Sequence, residues 1–212
     1  MRNVIVSVWM VLSLTSFAAA QSTFGFEEFP GTNGDPGVYT TISSTVGGLT
    51  LTITRSQGQK FDVQDTTATL GWPPTWGNRC LSPFFKGTDD DYFIGNFSAP
   101  LTSVSLEMTD FGMDSDTCVL NAYSGLNGSG TLLGTDSKVW GTDSSPNFLT
   151  LNVAGSSPPI QSITFVGGST IGPNSMYVDN IIGSGASPTV PEPMTLSLLG
   201  IGAAALLRRR SR

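Results

Sequence analysis

Short runs of alternating apolar and polar residues recur through the middle of the chain. Leu49-Thr50-Leu51-Thr52-Ile53-Thr54 alternates with a period of two, and residues 104–108 and 149–153 do the same. Residues 118–123, 160–166 and 176–182 follow the pattern less cleanly, and 91–97 is a further candidate. Gly47-Gly48, Asn127-Gly128, Pro158-Pro159 and Gly167-Gly168 punctuate these runs as turns. No long internal stretch has helical period. A strand whose apolar residues all face one way needs a second sheet to cover them, so the pattern predicts an all-β antiparallel sandwich.

The two ends break this pattern. The start, MRNVIVSVWMVLSLTSFAAAQS, has a basic residue at Arg2, an apolar run over 4–17 and the small residues Ala18-Ala19-Ala20. That is the layout of a secretory signal peptide over 1–20, cut by signal peptidase before Gln21. At the other end, residues 194–207 are apolar or small at nearly every position and are followed by Arg208, Arg209 and Arg210. As a helix these residues reach only about 21 Å at ~1.5 Å each, against about 30 Å of bilayer hydrocarbon. That suits a transient membrane association better than a permanent span. The arginines stay on the cytoplasmic side by the positive-inside rule, which leaves the body outside, as the signal peptide also does.

Composition sharpens this picture. Only 12% of the 212 residues are charged, and there is no histidine. The net charge of −6 conceals an asymmetry. Half of the basic residues lie in the two ends, so the body holds five bases against fifteen acids and is near −10. Such a surface repels phosphate backbones, which excludes nucleic acid as a partner and favours divalent cations or neutral glycans. Without histidine the chain lacks the commonest general base and transition-metal ligand. The expected layout is a signal peptide at 1–20, a sandwich domain at 21–182, a Gly/Ser/Pro-rich flexible linker at 183–189 and a terminal signal at 190–212.

Val190-Pro191-Glu192-Pro193, the short apolar segment and the arginine cluster together resemble the PEP-CTERM sorting signal. Met194 and Thr195 depart slightly from that family's usual residues. The resemblance implies processing by an exosortase, a membrane cysteine protease, at the inner membrane of a Gram-negative bacterium. It implies a final place on the cell surface or in the secreted matrix. A second resemblance covers about 80 residues. The acidic loop, Val119-Leu120-Asn121-Ala122-Tyr123, Gly130 to Gly134, and Tyr177-Val178-Asp179-Asn180-Ile181 come in an order similar to jelly-roll domains of PEP-CTERM proteins, which look like carbohydrate-binding modules. Phe24-Gly25-Phe26-Glu27-Glu28-Phe29 fits the first strand of such a domain. In the resembling modules a structural calcium is commonly held by an early acid and a late Asp, where first and last strands lie side by side. This nominates Glu27 and Asp179, with the choice between Glu27 and Glu28 left open.

Four further readings come from the residues. Cys80 and Cys118 are the only cysteines, and export to an oxidising compartment predicts one disulfide between them. It would close a 38-residue loop and contribute roughly 3–4 kcal/mol. The acids at Asp89, Asp90 and Asp91 read as solvated loop charges, while Asp110, Asp114 and Asp116 form a second acidic group. Trp72-Pro-Pro-Thr-Trp76 sets two large rings in one turn, where they either stack on sugars or plug one end of the sandwich. These signals predict a non-enzymatic surface or matrix protein with a structural or adhesive role and glycan contact. The alternative is an extracellular polysaccharide hydrolase using paired carboxylates.

Overall fold

The computed structural model describes residues 21–31, 38–66, 76–83, 91–110, 114–141, 149–155, 157–169 and 175–185. The signal peptide, the sorting signal, residues 186–189 of the linker, Trp72, Asp89 and Asp90 lie outside these. Among the described residues there is no α-helix and no helix long and apolar enough to cross a membrane.

Among the described residues, twelve strands form two antiparallel sheets. They are β1 Gln21–Phe24, β2 Thr41–Val46, β3 Leu49–Arg55, β4 Asp62–Asp65, β5 Arg79–Ser82 and β6 Phe93–Leu101. They continue with β7 Ser103–Thr109, β8 Asp116–Tyr123, β9 Leu132–Trp140, β10 Leu149–Ala154, β11 Ile160–Gly168 and β12 Tyr177–Ser184. The first sheet runs β10-β7-β12-β5-β4, with β1 also on β12; the second runs β2-β3-β6-β11-β8-β9. From β6 onward the chain passes repeatedly from one sheet to the other, which is jelly-roll connectivity. First and last strands are neighbours, with Gln21 opposite Ser184 and Phe24 opposite Ile181.

The core lies between the inner faces. On β3 Leu51 and Ile53 are buried and their threonine neighbours are half-buried; on β7 Val104, Leu106 and Met108 play the same part. Phe93 stacks on Phe165 with ring centroids 5.2 Å apart and takes the edge of Phe61 at 5.5 Å. Each fully buried side chain of this size contributes about 1.5–3 kcal/mol. Gly95 is required for closeness, because a Cβ there would stand 2.9 Å from Ile163 and 3.1 Å from Leu51.

The structure departs from expectation at the first strand, which covers Gln21–Phe24 and not Phe24–Phe29. Phe26 takes a left-handed φ of 58°, so the chain turns at Glu27. At the other boundary β12 continues through Gly183 and Ser184, the first two residues assigned to the linker. Strands β2, β4, β5 and β9 were not expected from the pattern.

Candidate functional site

Cys80 and Cys118 are both buried free thiols, so the expected disulfide is not formed. The two pack in different places: Cys80, on β5, is buried with Trp76 and Tyr177, whereas Cys118, on β8, belongs to the main core. Burial raises both thiols, Cys80 well above its ordinary value and Cys118 to about 12, with nearby acids adding to the shift. Neither is poised as a nucleophile.

Of its two readings, Trp76 follows the buried one and not the glycan-stacking one. It is 1% exposed and its indole N–H donates to Glu107 Oε2 at 2.7 Å, so it offers no ring to a glycan. Asp91, read as a solvated charge, is fully buried. Its carboxylate meets Arg55 Nη2 at 2.6 Å and accepts from Ser56 Oγ at 2.8 Å and Gln57 N at 3.2 Å. Arg55 Nη1 also donates to Pro83 O at 2.9 Å, and the guanidinium lies 5.3 Å from the centre of the Phe93 ring. This arrangement is architectural, with every contact made to the fold.

Glu27 and Asp179 are brought into electrostatic contact, together with Glu107. The turn after β1 places Glu27 over residues 77–79, where its Oε1 accepts from Asn78 N at 2.7 Å and Arg79 N at 3.0 Å. Gly77 must be glycine there: its φ is 59°, and a Cβ would sit 2.1 Å from that oxygen. Asp179 is opposite Glu107 across β12 and β7, next to a break in register, and Asn180 has a φ of 47°. Glu107 Oε2 also accepts from Asn180 Nδ2 at 2.9 Å. Asp179 is 1% exposed, and no hydrogen bond of good geometry reaches either of its oxygens. Its carboxyl is pushed up to about 9, by burial first; a backbone hydrogen bond from Asn180 opposes the shift, and Glu27 and Glu107 add to it.

A second acidic group stands where β7 ends and β8 begins. Ligand oxygens of Asp110, Asp114 and Asp116 lie within 4.8 Å of one another, the one set of three such residues among those described. Asp116 is fully buried, and no hydrogen bond of good geometry reaches either of its oxygens. Its carboxyl is pushed up to about 7, by burial first and then by Asp110 and Asp114, with Ser175 opposing. The sequence placed these acids in one loop. Only the fold shows that the strand start buries Asp116 and turns it toward the other two.

The outer face of the second sheet is different in kind. One row of paired positions crosses all six strands: Thr135, Asn121, Thr164, Ile94, Thr54 and Thr41. At ~4.8 Å per strand this row is about 24 Å long. A neighbouring row reads Tyr123, Ser162, Asn96, Thr52 and Ser43. Neither row contains a charged side chain. Hydroxyls and amides are laced together, Ser43 to Thr52 at 2.9 Å, Thr45 to Thr50 at 2.8 Å and Thr135 Oγ1 to Asn121 Oδ1 at 2.7 Å. The β8–β9 loop lies across the middle of this face as a wall. Asn127 N donates to Asn96 Oδ1 at 2.7 Å, Asn96 Nδ2 donates to Asn127 Oδ1 at 2.9 Å, and Gly128 N donates to Ser162 Oγ at 3.0 Å. The sequence marked Asn127-Gly128 as a turn but gave no sign of where it would fold.

Residues 189–211 match the family model of the PEP-CTERM protein-sorting motif, which includes Val190, Pro191, Glu192, Pro193 and the three arginines 208–210. No curated protein matches the chain. Among solved structures, a family 11 carbohydrate-binding module from Clostridium thermocellum, in complex with a β-1,3-1,4-mixed-linked tetrasaccharide, is 16% identical. That alignment covers 80% of this chain and 98% of the module, with a TM-score of 0.35. The family 11 module of the cellulosomal cellulase Lic26A-Cel5E of the same organism is 17% identical over 80% of this chain and 97% of its own, with a TM-score of 0.33. A family 29 carbohydrate-binding module is 14% identical over 85% and 99%, with a TM-score of 0.30. The chain thus joins a β-sandwich to a PEP-CTERM sorting motif, the mark of an exported protein processed at the membrane.

Proposed function

We propose that this is a surface or matrix protein, released from the membrane by an exosortase, that holds neutral polysaccharide on the outer face of its second sheet without turning it over. The supporting observation is the uncharged row from Thr135 to Thr41 on a body that is near −10 overall. In that row Thr41 and Thr135 are exposed and Thr54 and Asn121 half-buried, and their hydroxyls and amide suit sugar hydroxyls, while Thr164 lies buried against the loop. The Asn127-Gly128 wall gives a bound chain an edge to lie against. We also propose a structural calcium held by Asp179 and Glu27. A buried carboxylate that no hydrogen bond of good geometry reaches, and on which Glu27 acts electrostatically, suits a hard cation that takes oxygen ligands.

A glycan array probed with the full chain, followed by an assay for reducing ends, tests the main reading. Binding of neutral polysaccharide without release of reducing sugar is the expected result. Thr54→Glu, which places a charge in the middle of the row, abolishes that binding and leaves the fold intact. Release of reducing sugar would instead favour the hydrolase reading, and binding unaffected by Thr54→Glu would remove the face from consideration.

A further inference from the structure

Asp110, Asp114 and Asp116 belong neither to the uncharged face nor to the Asp179 group. Three carboxylates converge with their oxygens inside 4.8 Å, so each adds to the charge the others must bear. A solvated loop relieves such crowding by turning its acids outward. Here Asp116 is instead held fully buried at the first position of β8, and Asp110 is buried at the end of β7. The Asp116 oxygens receive no hydrogen bond of good geometry. A buried carboxylate left in this state calls for a counter-charge, and the groups that act on Asp116 are two further acids, Asp110 and Asp114, and the hydroxyl of Ser175.

We propose that Asp110, Asp114 and Asp116 form a calcium site that ties the end of β7 to the start of β8. The chemistry of the donors selects the ion. All three ligands are hard carboxylate oxygens, and the chain has no histidine to recruit zinc. Calcium binds at about 2.3–2.6 Å, so two of its ligands stand up to about twice that distance apart. The observed limit of 4.8 Å lets all three acids reach one ion with the backbone where it is. Magnesium, at about 2.0–2.1 Å and with strict octahedral demands, requires the acids to close in further. The exposed Asp114 supplies an entry side, and the buried Asp116 supplies an inner wall.

Trp140 provides the readout, because it is the cross-strand partner of Asp116. The full chain in detergent, stripped with EGTA, is titrated with calcium by calorimetry and with terbium by luminescence excited through tryptophan. Calcium is expected to bind in the 10⁻⁴–10⁻³ M range of extracellular sites and to displace terbium. Asp114→Asn, at an exposed position that leaves folding alone, weakens calcium binding at this site at least about tenfold or removes one ion from the stoichiometry. Trp140→Phe lowers the terbium signal while calorimetry still records calcium. Calcium affinity and stoichiometry unchanged in both Asp114→Asn and Asp116→Asn would overturn the proposal. Asp179→Asn separates the two cation readings. An ion lost only in Asp179→Asn sinks this site and spares the one at Asp179; an ion lost only in Asp114→Asn does the reverse.

Discussion

Arg55 and Asp91 meet at 2.6 Å with neither side chain exposed, and each has further bonds to the chain around it. Removing one partner strands the other charge inside the protein, which costs about 3–5 kcal/mol. Arg55→Ala is therefore expected to lower stability by that amount in urea unfolding. The joint replacement Arg55→Met with Asp91→Leu is expected to cost much less, since it buries no charge. A cost for the pair equal to that of the single variant would contradict this account. Asp179 poses the opposite problem, a buried carboxyl without a cationic neighbour. Its folded value of about 9 stands above the ordinary 3.8, so the folded chain holds this proton more tightly than the unfolded chain. The stabilisation from the neutral acid is then complete below about pH 4 and is lost as pH rises to about 9. Asp116, at about 7, acts with the same sign over the lower part of that range. In EGTA the melting temperature is expected to fall across this window, and Asp179→Asn is expected to flatten the fall and raise the melting temperature near pH 8. Saturating calcium should oppose the fall, because the cation binds the ionised form. An unchanged pH slope in Asp179→Asn would place the sensitivity elsewhere.

At the scale of elements, the β8–β9 loop is held down on the outer face by few bonds, and so is easily tested. Asn96→Ala removes both bonds to Asn127, each worth about 0.5–1.5 kcal/mol. Gly128→Val acts through shape: φ is 65° there, and an added Cβ would stand 2.7 Å from the Thr164 methyl. Amide hydrogen exchange should speed up in residues 124–131 in both variants, while β3, β6 and β11 stay protected. Uniform loss of protection would mean that the loop supports the whole fold. The strands that the sequence made legible are those with clean alternation on the core side, such as β3, β7 and β10. Those it concealed have too few apolar residues to announce themselves. In β2 the buried position between Ile42 and Val46 is Ser44, and β4 reads Asp-Val-Gln-Asp. Strand β9 is at a sheet edge and spends its side chains on bridging, with Asp136 accepting from Asn152 N at 2.8 Å and Lys138 reaching Thr150 O. The candidate site was legible in part for the same reason. Asp179 stood out through its place in the last strand, but burial decides which of fifteen acids are unusual, and burial is set by strand pairing far away in sequence. The disulfide expectation came from counting cysteines, without the packing that buries Cys80 with Trp76 and Tyr177 and Cys118 in the main core.

At the scale of the molecule, the body and the two ends of the chain differ sharply in charge. The body is near −10 and two rows on the outer face of its second sheet are uncharged, while five of the ten basic residues lie in residues 1–20 and 190–212. The arginines at 208–210 suit an anchor on the cytoplasmic side and serve no purpose on an acidic protein outside the cell. The apolar segment before them, fourteen residues at ~1.5 Å each as a helix, falls short of the ~30 Å hydrocarbon core. A segment that short suits a chain that is held only until it is cut better than one anchored for good. The mature protein is accordingly expected to run from Gln21 to the neighbourhood of Pro191-Glu192-Pro193. Intact mass measurement on protein recovered from the cell exterior should show both ends missing. Glu192→Ala should leave a longer species in the membrane fraction, still carrying Arg208 to Arg212, with its amino terminus cut at the usual place. The two cuts report separately. Exported protein that keeps its arginines at its final location would show that the tail is a tether, and the signal peptide alone would then account for export.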